Sequence, residues 1–361
     1  MSAVRTGKPT IHDIAGELGL SASTVSRALA GNPVISERTR AQVEAKAREI
    51  DYRPNRVAAA LRSGRSELIG VVIPHANRAF FANIIDGVEA AAAGRGYRVL
   101  VMQHHYDSRR EMELVEALVH LRVDGMVVCP ADDGHTDHAA YRDLARQGVA
   151  IQFVDRRVVG LEGPSVHVDD FGGGYAATAH LVEAGYRRIA HLAGPRAMLI
   201  YAERERGYRE AIRTAGLALE ERLVVPVESL REEGWRAFEQ LWGLPEAERP
   251  DAVFSASDFA ALGLLQAAQA AGVSVPAQLG IVGFANEPFT EYVTPSLTTV
   301  EQRNAEMGRL AAERLIDSLA AAPTAAASPT QSADVRILTP QLVIRESSRR
   351  GAVAPDTRPT N

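Results

Sequence analysis

Cysteine is nearly absent from this chain: Cys129 is the only one in 361 residues. A single thiol cannot close an internal disulfide or build a Cys-based zinc site, and a reducing compartment is the expectation. Lysine is almost as scarce. Lys8 and Lys46 stand beside 38 arginines, a skew we assign to GC-rich coding rather than to function. No run of about 18 apolar residues is present, so no transmembrane helix is available. Residues 1–9 carry no apolar core of a secretory signal, and a cytoplasmic chain without a membrane partner is expected. There is no Gly-x-Ser-x-Gly elbow, no Walker loop and no His-Glu-x-x-His motif, so nothing supports an enzyme.

What is present is enough chain for two or three globular domains and an uneven charge. Residues 1–66 hold eleven Lys and Arg against six Asp and Glu; the remaining 295 hold 29 against 39. A basic segment on an acidic body suggests a nucleic-acid module joined to something else. Within it, Thr10 and Asp13 have the spacing of a helix cap, and Ile11, Ile14, Ala15 and Leu18 recur at helical period. Gly19 breaks the run. Ser21 can cap a second helix with Val25 and Leu29 inward, and Ser36 a third with Val43, Ala47 and Ile50 inward. Three short helices with a glycine turn form the helix-turn-helix pattern. Ala22, Ser23, Ser26 and Arg27 fall on the outer face of helix two. Spacing alone fits a DNA-reading helix and a plain three-helix bundle equally well.

The residues decide further. Thr10 to Gly31, TIHDIAGELGLSASTVSRALAG, closely resembles the DNA-binding head of the LacI/GalR family of bacterial transcription regulators, and VISERTR from Val34 and YRPNRVAAALRSG from Tyr52 continue the likeness. The resemblance runs to about residue 347. It implies that Ala22, Ser23 and Arg27 read bases, that Ser21, Thr24 and Ser26 hold phosphates, and that Thr10, Asn32, Tyr52, Asn55, Arg56 and Ala58 are further DNA contacts. Ala22 and Ser23 offer little hydrogen-bond discrimination, so specificity would rest on Arg27 and on DNA shape. Pro54 stops the preceding structure, and Asn55 can cap a short helix through Leu61. Alone, so short a helix is marginal. The family pairs two of them in a dimer, and Leu61 matches its minor-groove wedge.

From residue 67, apolar strand-like runs alternate with helical stretches. Leu68–Pro74, Tyr97–Val101, Gly125–Cys129 and Val149–Val154 read as strands, as do Arg188–Leu192, Asp251–Ser255 and Leu279–Phe284. Helices are expected over 79–94, 171–184 and 203–215. This pattern indicates α/β architecture: two doubly wound lobes of parallel sheet behind a small all-α head. The body resembles the family's periplasmic-binding-protein-like core. The expected division is a head over 1–54, a hinge over 55–66 and a two-lobed body over 67–347. The near lobe would take 67–167 and 297–329, and the far lobe 168–296 and 330–347. Low-complexity residues 321–333 would connect them, and 348–361 would be a disordered tail.

Ligands of such folds bind at the carboxyl ends of strands, in the cleft between lobes. By resemblance, Phe80 and Phe81 supply aromatics and Arg204 is the ligand-binding arginine, suited to a carboxylate or phosphate. Asp258 is either a ligand contact or a helix cap. Ser257, Asn286 and Gln302 complete the candidate set. The chain departs from the family at Ser229, where an aromatic is frequent, at Ser257, where Asn is frequent, and at Ala285, where an Asp usually accepts sugar hydroxyls. A plain hexose held in the usual way is thus in doubt, and an acidic or modified sugar gains. Asn286 or Gln302 could replace the lost acceptor.

Asp132, Asp133, His135, Asp137 and His138 look like a metal cluster, yet they follow a strand end and read as a solvated loop. His104 and His105 lie at another strand end, and one could reach the ligand. Gly172–Gly174 lacks the dinucleotide fingerprint and reads as close packing. No cofactor and no metal are expected. The resemblance implies a homodimeric repressor of carbohydrate uptake or catabolism genes, released from a palindromic operator by a sugar, sugar acid or sugar phosphate. A corepressor-dependent repressor or an activator is the alternative within the family; a small-molecule binding protein without regulation is the alternative outside it. Replacing Leu61 with Ala tests the hinge: operator affinity at physiological salt should fall while ligand binding stays intact, and unchanged affinity counts against the wedge.

Overall fold

The computed structural model describes residues 9–52, 65–133, 135–157, 160, 163–228, 230–321 and 334–350. Asn55, Arg56, Ala58, Leu61 and Ser229 lie outside them. The chain divides into two units, residues 1–66 and 67–361.

In the first unit, α1 (Ile11–Leu18), α2 (Ala22–Leu29) and α3 (Glu37–Glu49) pack around Ile14, Ala15, Val25, Ala28, Val43 and Ala47. Each helix starts where a small polar side chain satisfies its first N–H groups. Thr10 donates its own N–H to Asp13 at 2.7 Å, Ser21 Oγ accepts from Thr24 N at 3.1 Å, and Ser36 Oγ accepts from Thr39 N at 3.2 Å. Gly19 ends α1 at φ +63°, a left-handed turn that a Cβ would strain. The turn sets α2 across α1 and leaves its polar side outward.

The second unit contains two parallel sheets. The first has the strand order β11-β5-β4-β3-β1-β2, with β1 (Leu68–Ile73), β2 (Arg98–Gln103), β3 (Gly125–Val128), β4 (Ala150–Val154), β5 (Ser165–Val168) and β11 (Val335–Leu338). The second has the order β7-β6-β8-β9, with β6 (Ile189–Ala193), β7 (Val224–Pro226), β8 (Ala252–Ser255) and β9 (Gly280–Val282). Two crossing strands, β10 (Thr299–Glu301) and β12 (Gln341–Val343), pair antiparallel.

Helices cover both faces of each sheet, and the strand sequences show why. Along β1, Ile69, Val71 and Ile73 face α4 (Ala79–Ala93) and α11 (Asn304–Ala320), while Val72 faces α5 (Ser108–His120) and α6 (His138–Arg146). Along β8, Val253 joins the core under α9 (Arg231–Trp242) and α10 (Asp258–Ala270), while Ala252 and Phe254 join the core under α7 (Asp170–Glu183) and α8 (Leu199–Thr214). Side chains of period two buried on both faces make an unbroken apolar run. Each buried Ile, Val or Phe contributes roughly 1.5–3 kcal/mol.

Two boundaries differ from expectation. The far lobe was to take residues 330–347, yet β11 pairs with β5 in the near-lobe sheet. The chain therefore crosses after Leu338. β11 is an edge strand with Val335 and Ile337 exposed, so its pattern lacked the continuous apolar signature. The tail was to begin at 348, yet Ser348 is fully buried and bonds His180 and Thr298 at 2.8 and 2.7 Å. Also, α8 begins four residues early, at Leu199, behind Met198, which caps nothing with its side chain.

The far-lobe helices α9 and α10 touch backbone to backbone. A Cβ on Gly234 would overlap the carbonyl of Ala260, and a Cβ on Gly263 would overlap the carbonyl of Arg231. Gly234→Ala should therefore destabilise the second unit by about 1–3 kcal/mol or more through overpacking, read as a lower Tm. An unchanged Tm would show that α9 can move away at no cost.

Candidate functional site

Two regions carry the sequence candidates. On α2, Val25 and Ala28 are buried while Ser23 and Arg27 are exposed, one turn apart on the opposite face. The Arg27 guanidinium lies back along the helix, its Nε donating to the Ser23 carbonyl at 3.3 Å. Ser21 is occupied as the cap and also meets Thr24 Oγ1 at 2.8 Å. Ala22 and Ser26 are half-buried at the edge of this face. Asn32 shapes the following turn, its side-chain oxygen accepting from Val34 N at 3.0 Å. Tyr52 packs against the head core.

The second region is a cleft of roughly 530 Å³ in the larger unit. Its walls are the carboxyl ends of parallel strands and the helix starts that follow them. From the near lobe come Arg78, Phe80 and Phe81 after β1, Tyr106 after β2, and Asp155 and Arg156 after β4. From the far lobe come Tyr201 and Arg204 on α8, Ser257 and Asp258 after β8, and Ala285 and Glu287 after β9; Gln302 follows the crossing strand β10.

Arg204 forms the floor. It is 5% exposed, and its Nε donates to Asp170 at 2.7 Å, Nη1 to the Ala256 carbonyl at 2.9 Å and Nη2 to Gln302 at 3.2 Å. Its guanidinium stacks 3.8 Å from the Phe284 ring centroid. Burial pushes the Asp170 carboxyl up to about 6, against the pull of Arg204. Three of its five N–H groups are thus spent on holding the guanidinium.

Asp258 is also buried. It opens α10, but its carboxylate does not cap that helix: Oδ1 accepts from Thr299 Oγ1 at 2.6 Å and Oδ2 from Glu287 N at 2.8 Å. Burial pushes its pKa up to about 7. Of the expected residues, Phe80, Phe81, Arg204, Ser257, Asp258 and Gln302 all line the cleft. Asn286 does not. Its amide nitrogen donates to Glu301 at 2.8 Å, and its oxygen accepts from Arg345 at 3.0 Å. At φ +51° it turns away, and Glu287 follows it into the cleft as a buried carboxylate. Glu287 stands where an acceptor is needed once Ala285 has none.

Sequence reasoning missed Arg78, Tyr106, Asp155, Arg156 and Glu287. The available signal was position after a strand end. His104 and His105 drew attention there, but neither lines the cleft. His104 is fully buried against the Cys129 carbonyl at 3.0 Å, and burial pushes its pKa down to about 4. His105 meets His75 at 3.2 Å. The acidic loop is similarly occupied: Asp133 accepts from Ser108 N and His135 N, and Asp137 caps α6 through Ala140 N. Among the described residues no group of three or more His, Cys, Asp or Glu is placed to hold a metal. In the glycine run that opens α7, a Cβ on Gly174 would overlap the Arg204 carbonyl, so the run permits close packing on α8.

A helix-turn-helix head followed by a two-lobed ligand-binding fold defines a class: DNA-binding proteins whose body carries a cleft for a small molecule. Residues 10–55 match the family model for bacterial regulatory proteins of the lacI family, and residues 178–348 match that for a periplasmic binding protein-like domain. The chain is 33% identical over 344 residues to the HTH-type transcriptional repressor CytR of Escherichia coli (strain K12), covering 94% of this chain and 96% of that protein. It is also 33% identical over 350 residues to the HTH-type transcriptional regulator CelR of Thermobifida fusca, covering 95% and 99%. The chain belongs to the lacI family of bacterial regulators and is a DNA-binding transcription regulator. A solved structure of a CelR–cellobiose complex superposes with a TM-score of 0.67 at 31% identity, covering 94% of this chain and 99% of that one. The lac repressor dimer bound to operator and the anti-inducer ONPF superposes with a TM-score of 0.81 at 24% identity, covering 95% and 99%; it shows the fold. No helix among the described residues is long and apolar enough to cross a membrane.

The buried Asp258 makes a pH prediction. Its folded pKa of about 7 lies above the ordinary 3.8. Between about pH 4 and 7 the folded state keeps a proton that the unfolded state has released. Stability from this group therefore falls as pH rises through that window and is level above it. Buried His104 and His191, both pushed down to about 4, act in the opposite sense but equally in parent and variant. Asp258→Asn should thus lose less Tm than the parent between pH 4.5 and 7.5. Identical pH slopes would contradict the assignment.

Proposed function

We propose that this chain is a homodimeric repressor of carbohydrate uptake or catabolism genes, acting in the cytoplasm on a palindromic operator and released when a sugar or sugar-derived effector fills the cleft. The observation that carries the reading is the joint presence of an exposed Ser23–Arg27 face on α2 and a cleft walled by both lobes in one chain. Phe80, Phe81 and Tyr106 offer ring faces, and Arg204, Gln302, Glu287 and Ser257 offer donors and acceptors for hydroxyls. A cleft of mixed aromatic and polar lining suits a sugar-like solute. The relative solved in complex with cellobiose supports a carbohydrate effector.

Closing the lobes on the effector changes the angle between them. In a dimer that change moves the two segments that follow the heads, where Asn55 to Leu61 would pair on DNA. A coupling on the order of 1–3 kcal/mol is enough for a useful switch. The relatives are transcription regulators, and we read this chain as non-catalytic.

The test is affinity selection of genomic DNA fragments by the full-length protein, followed by sequencing. We expect a few enriched sites that share a palindrome, with neighbouring genes for transport or breakdown of the effector. Arg27→Ala should weaken those sites by about 1–3 kcal/mol and relax one base position per half-site. Enrichment without a shared motif would overturn the reading of α2 as a base-reading helix.

A further inference from the structure

We propose that the effector carries an anionic group, a carboxylate or a phosphate ester, seated against Arg156 and Arg78 on the near-lobe wall of the cleft. This rests on the reading of the cleft as the effector site.

Arg156 is the primary observation. It lines the cleft and is 5% exposed. Its Nη1 donates to the Ala131 carbonyl at 2.6 Å, and its face lies on the Tyr106 ring at 4.6 Å. Its Nε–H has no hydrogen-bond partner. Asp155 Oδ2 stands 3.8 Å from that nitrogen, beyond hydrogen-bond reach, and takes a contact from the Cys129 thiol at 3.5 Å instead. A buried guanidinium left with an open donor is costly, and a cognate acceptor removes the cost. Compare Arg204, whose Nε is closed by Asp170. The protein closes the Nε of one arginine and leaves that of the other without an acceptor, in a residue that lines the cleft.

Arg78 is the second, independent observation. It stands at the start of α4, with its guanidinium over the Phe259 ring at 5.2 Å and no hydrogen bond to an acceptor among the described residues. It offers no side-chain cap to that helix, and no acceptor meets the N–H groups of Ala79, Phe80 and Phe81 among the described residues. A fifteen-residue helix thus presents its open positive end beside a guanidinium that makes no hydrogen bond among the described residues. Phe80 and Phe81 in that first turn line the cleft.

Counting hydrogen-bonding capacity favours an acceptor-rich ligand. On the near-lobe wall the donors are those of Arg156, Arg78 and the α4 start. The carboxylates in view are few. Asp258 is spent on Thr299 and on the Glu287 N–H. Asp155 also lines the cleft and stands 3.8 Å from the Arg156 Nε as its ion-pair partner. Glu287 remains, on the far-lobe side within reach of the Arg78 charge, and suits the hydroxyls of the ligand. A neutral sugar brings a donor with every hydroxyl and no charge to set against two guanidinium groups. A carboxylate or phosphate brings acceptors alone and can take Arg bidentately. The ligand's charge would then point to the near lobe and its hydroxyls to the far lobe, so one molecule bridges both.

Isothermal titration calorimetry on the full chain tests this with matched sets. The neutral set is D-glucose, D-ribose and cellobiose. The anionic set is D-gluconate, D-glucuronate, glucose 6-phosphate, ribose 5-phosphate and inorganic phosphate. At least one anionic sugar should bind at least tenfold tighter than its neutral parent, and whether an acid or an ester wins identifies the source of the charge. Arg78→Ala and Arg156→Lys should each weaken that ligand at least tenfold. Arg156→Lys keeps the buried charge, and the Tm without ligand confirms the fold of each variant. A neutral sugar that binds as tightly as its anionic counterpart, or variants that weaken both equally, overturns the anionic group but leaves the effector cleft standing. Binding by no member of either set overturns both, while the DNA selection reports on the head separately.

Discussion

The cleft depends on one buried charge. Arg204 is enclosed by the far lobe, and a guanidinium in that environment must have its donors closed or the fold pays the full desolvation cost. Asp170 comes from α7, the Ala256 carbonyl from just past β8, Gln302 from just past the crossing strand β10, and Phe284 from just past β9. Four separate elements are thereby fixed against α8. Close contact of α7 with α8 at Gly174 makes the approach possible. Gln302 is the telling partner, since it lies where the chain leaves the far lobe for the near one. The same arginine that lines the cleft also touches the segment that links the lobes.

A second constraint is geometric. All ten strands of the two large sheets run parallel. Every strand then delivers its following loop to the same edge, and the two sheets present those edges to one space. Function needs no special device beyond this. Arg78, Tyr106, Arg156, Ser257 and Glu287 are far apart in sequence but each is a few residues past a strand end. The cleft also tolerates strain: Ala285 sits at φ +123° and Asn286 at φ +51°, conformations that L residues seldom adopt. That bend removes Asn286 from the cleft and turns Glu287 into it.

The head follows a different logic. It is held by six buried small or branched side chains and by three polar helix caps. Its exposed side is sparse. Ser23 is short and Arg27 is long, so on the proposed reading discrimination by hydrogen bonds concentrates on one side chain. On the proposed reading, recognition leans on the shape of the DNA and on the spacing of two heads in a dimer. Such a reader gains specificity from geometry, and geometry is what a ligand in a two-lobed body can change. By linkage, whatever DNA does to the effector's affinity, the effector does to that of DNA.

Much of this was legible in the residues. Helix caps, the Gly19 turn and the apolar stripes placed α1 to α3, because those signals are local and each has a backbone cause. The β-strands were legible because parallel sheet buried on both faces demands unbroken apolar runs. Phe80, Phe81, Arg204, Ser257, Asp258 and Gln302 were reachable by resemblance, since their positions relative to strand ends are shared. Other features were settled only in three dimensions. The pairing of β11 with β5 was hidden because an exposed edge strand has no continuous apolar pattern. The burial of Ser348 was hidden because its partners, His180 and Thr298, are distant in sequence. Whether Asn286 or Glu287 faces the cleft hung on two left-handed residues that no composition reveals. Arg204 Nε lies 2.7 Å from its carboxylate and Arg156 Nε 3.8 Å from its own, a difference of about 1 Å that decides which donor is closed. Sequence fixes local geometry through backbone and cap chemistry, whereas the state of a buried charge is set by neighbours that only the fold brings within reach.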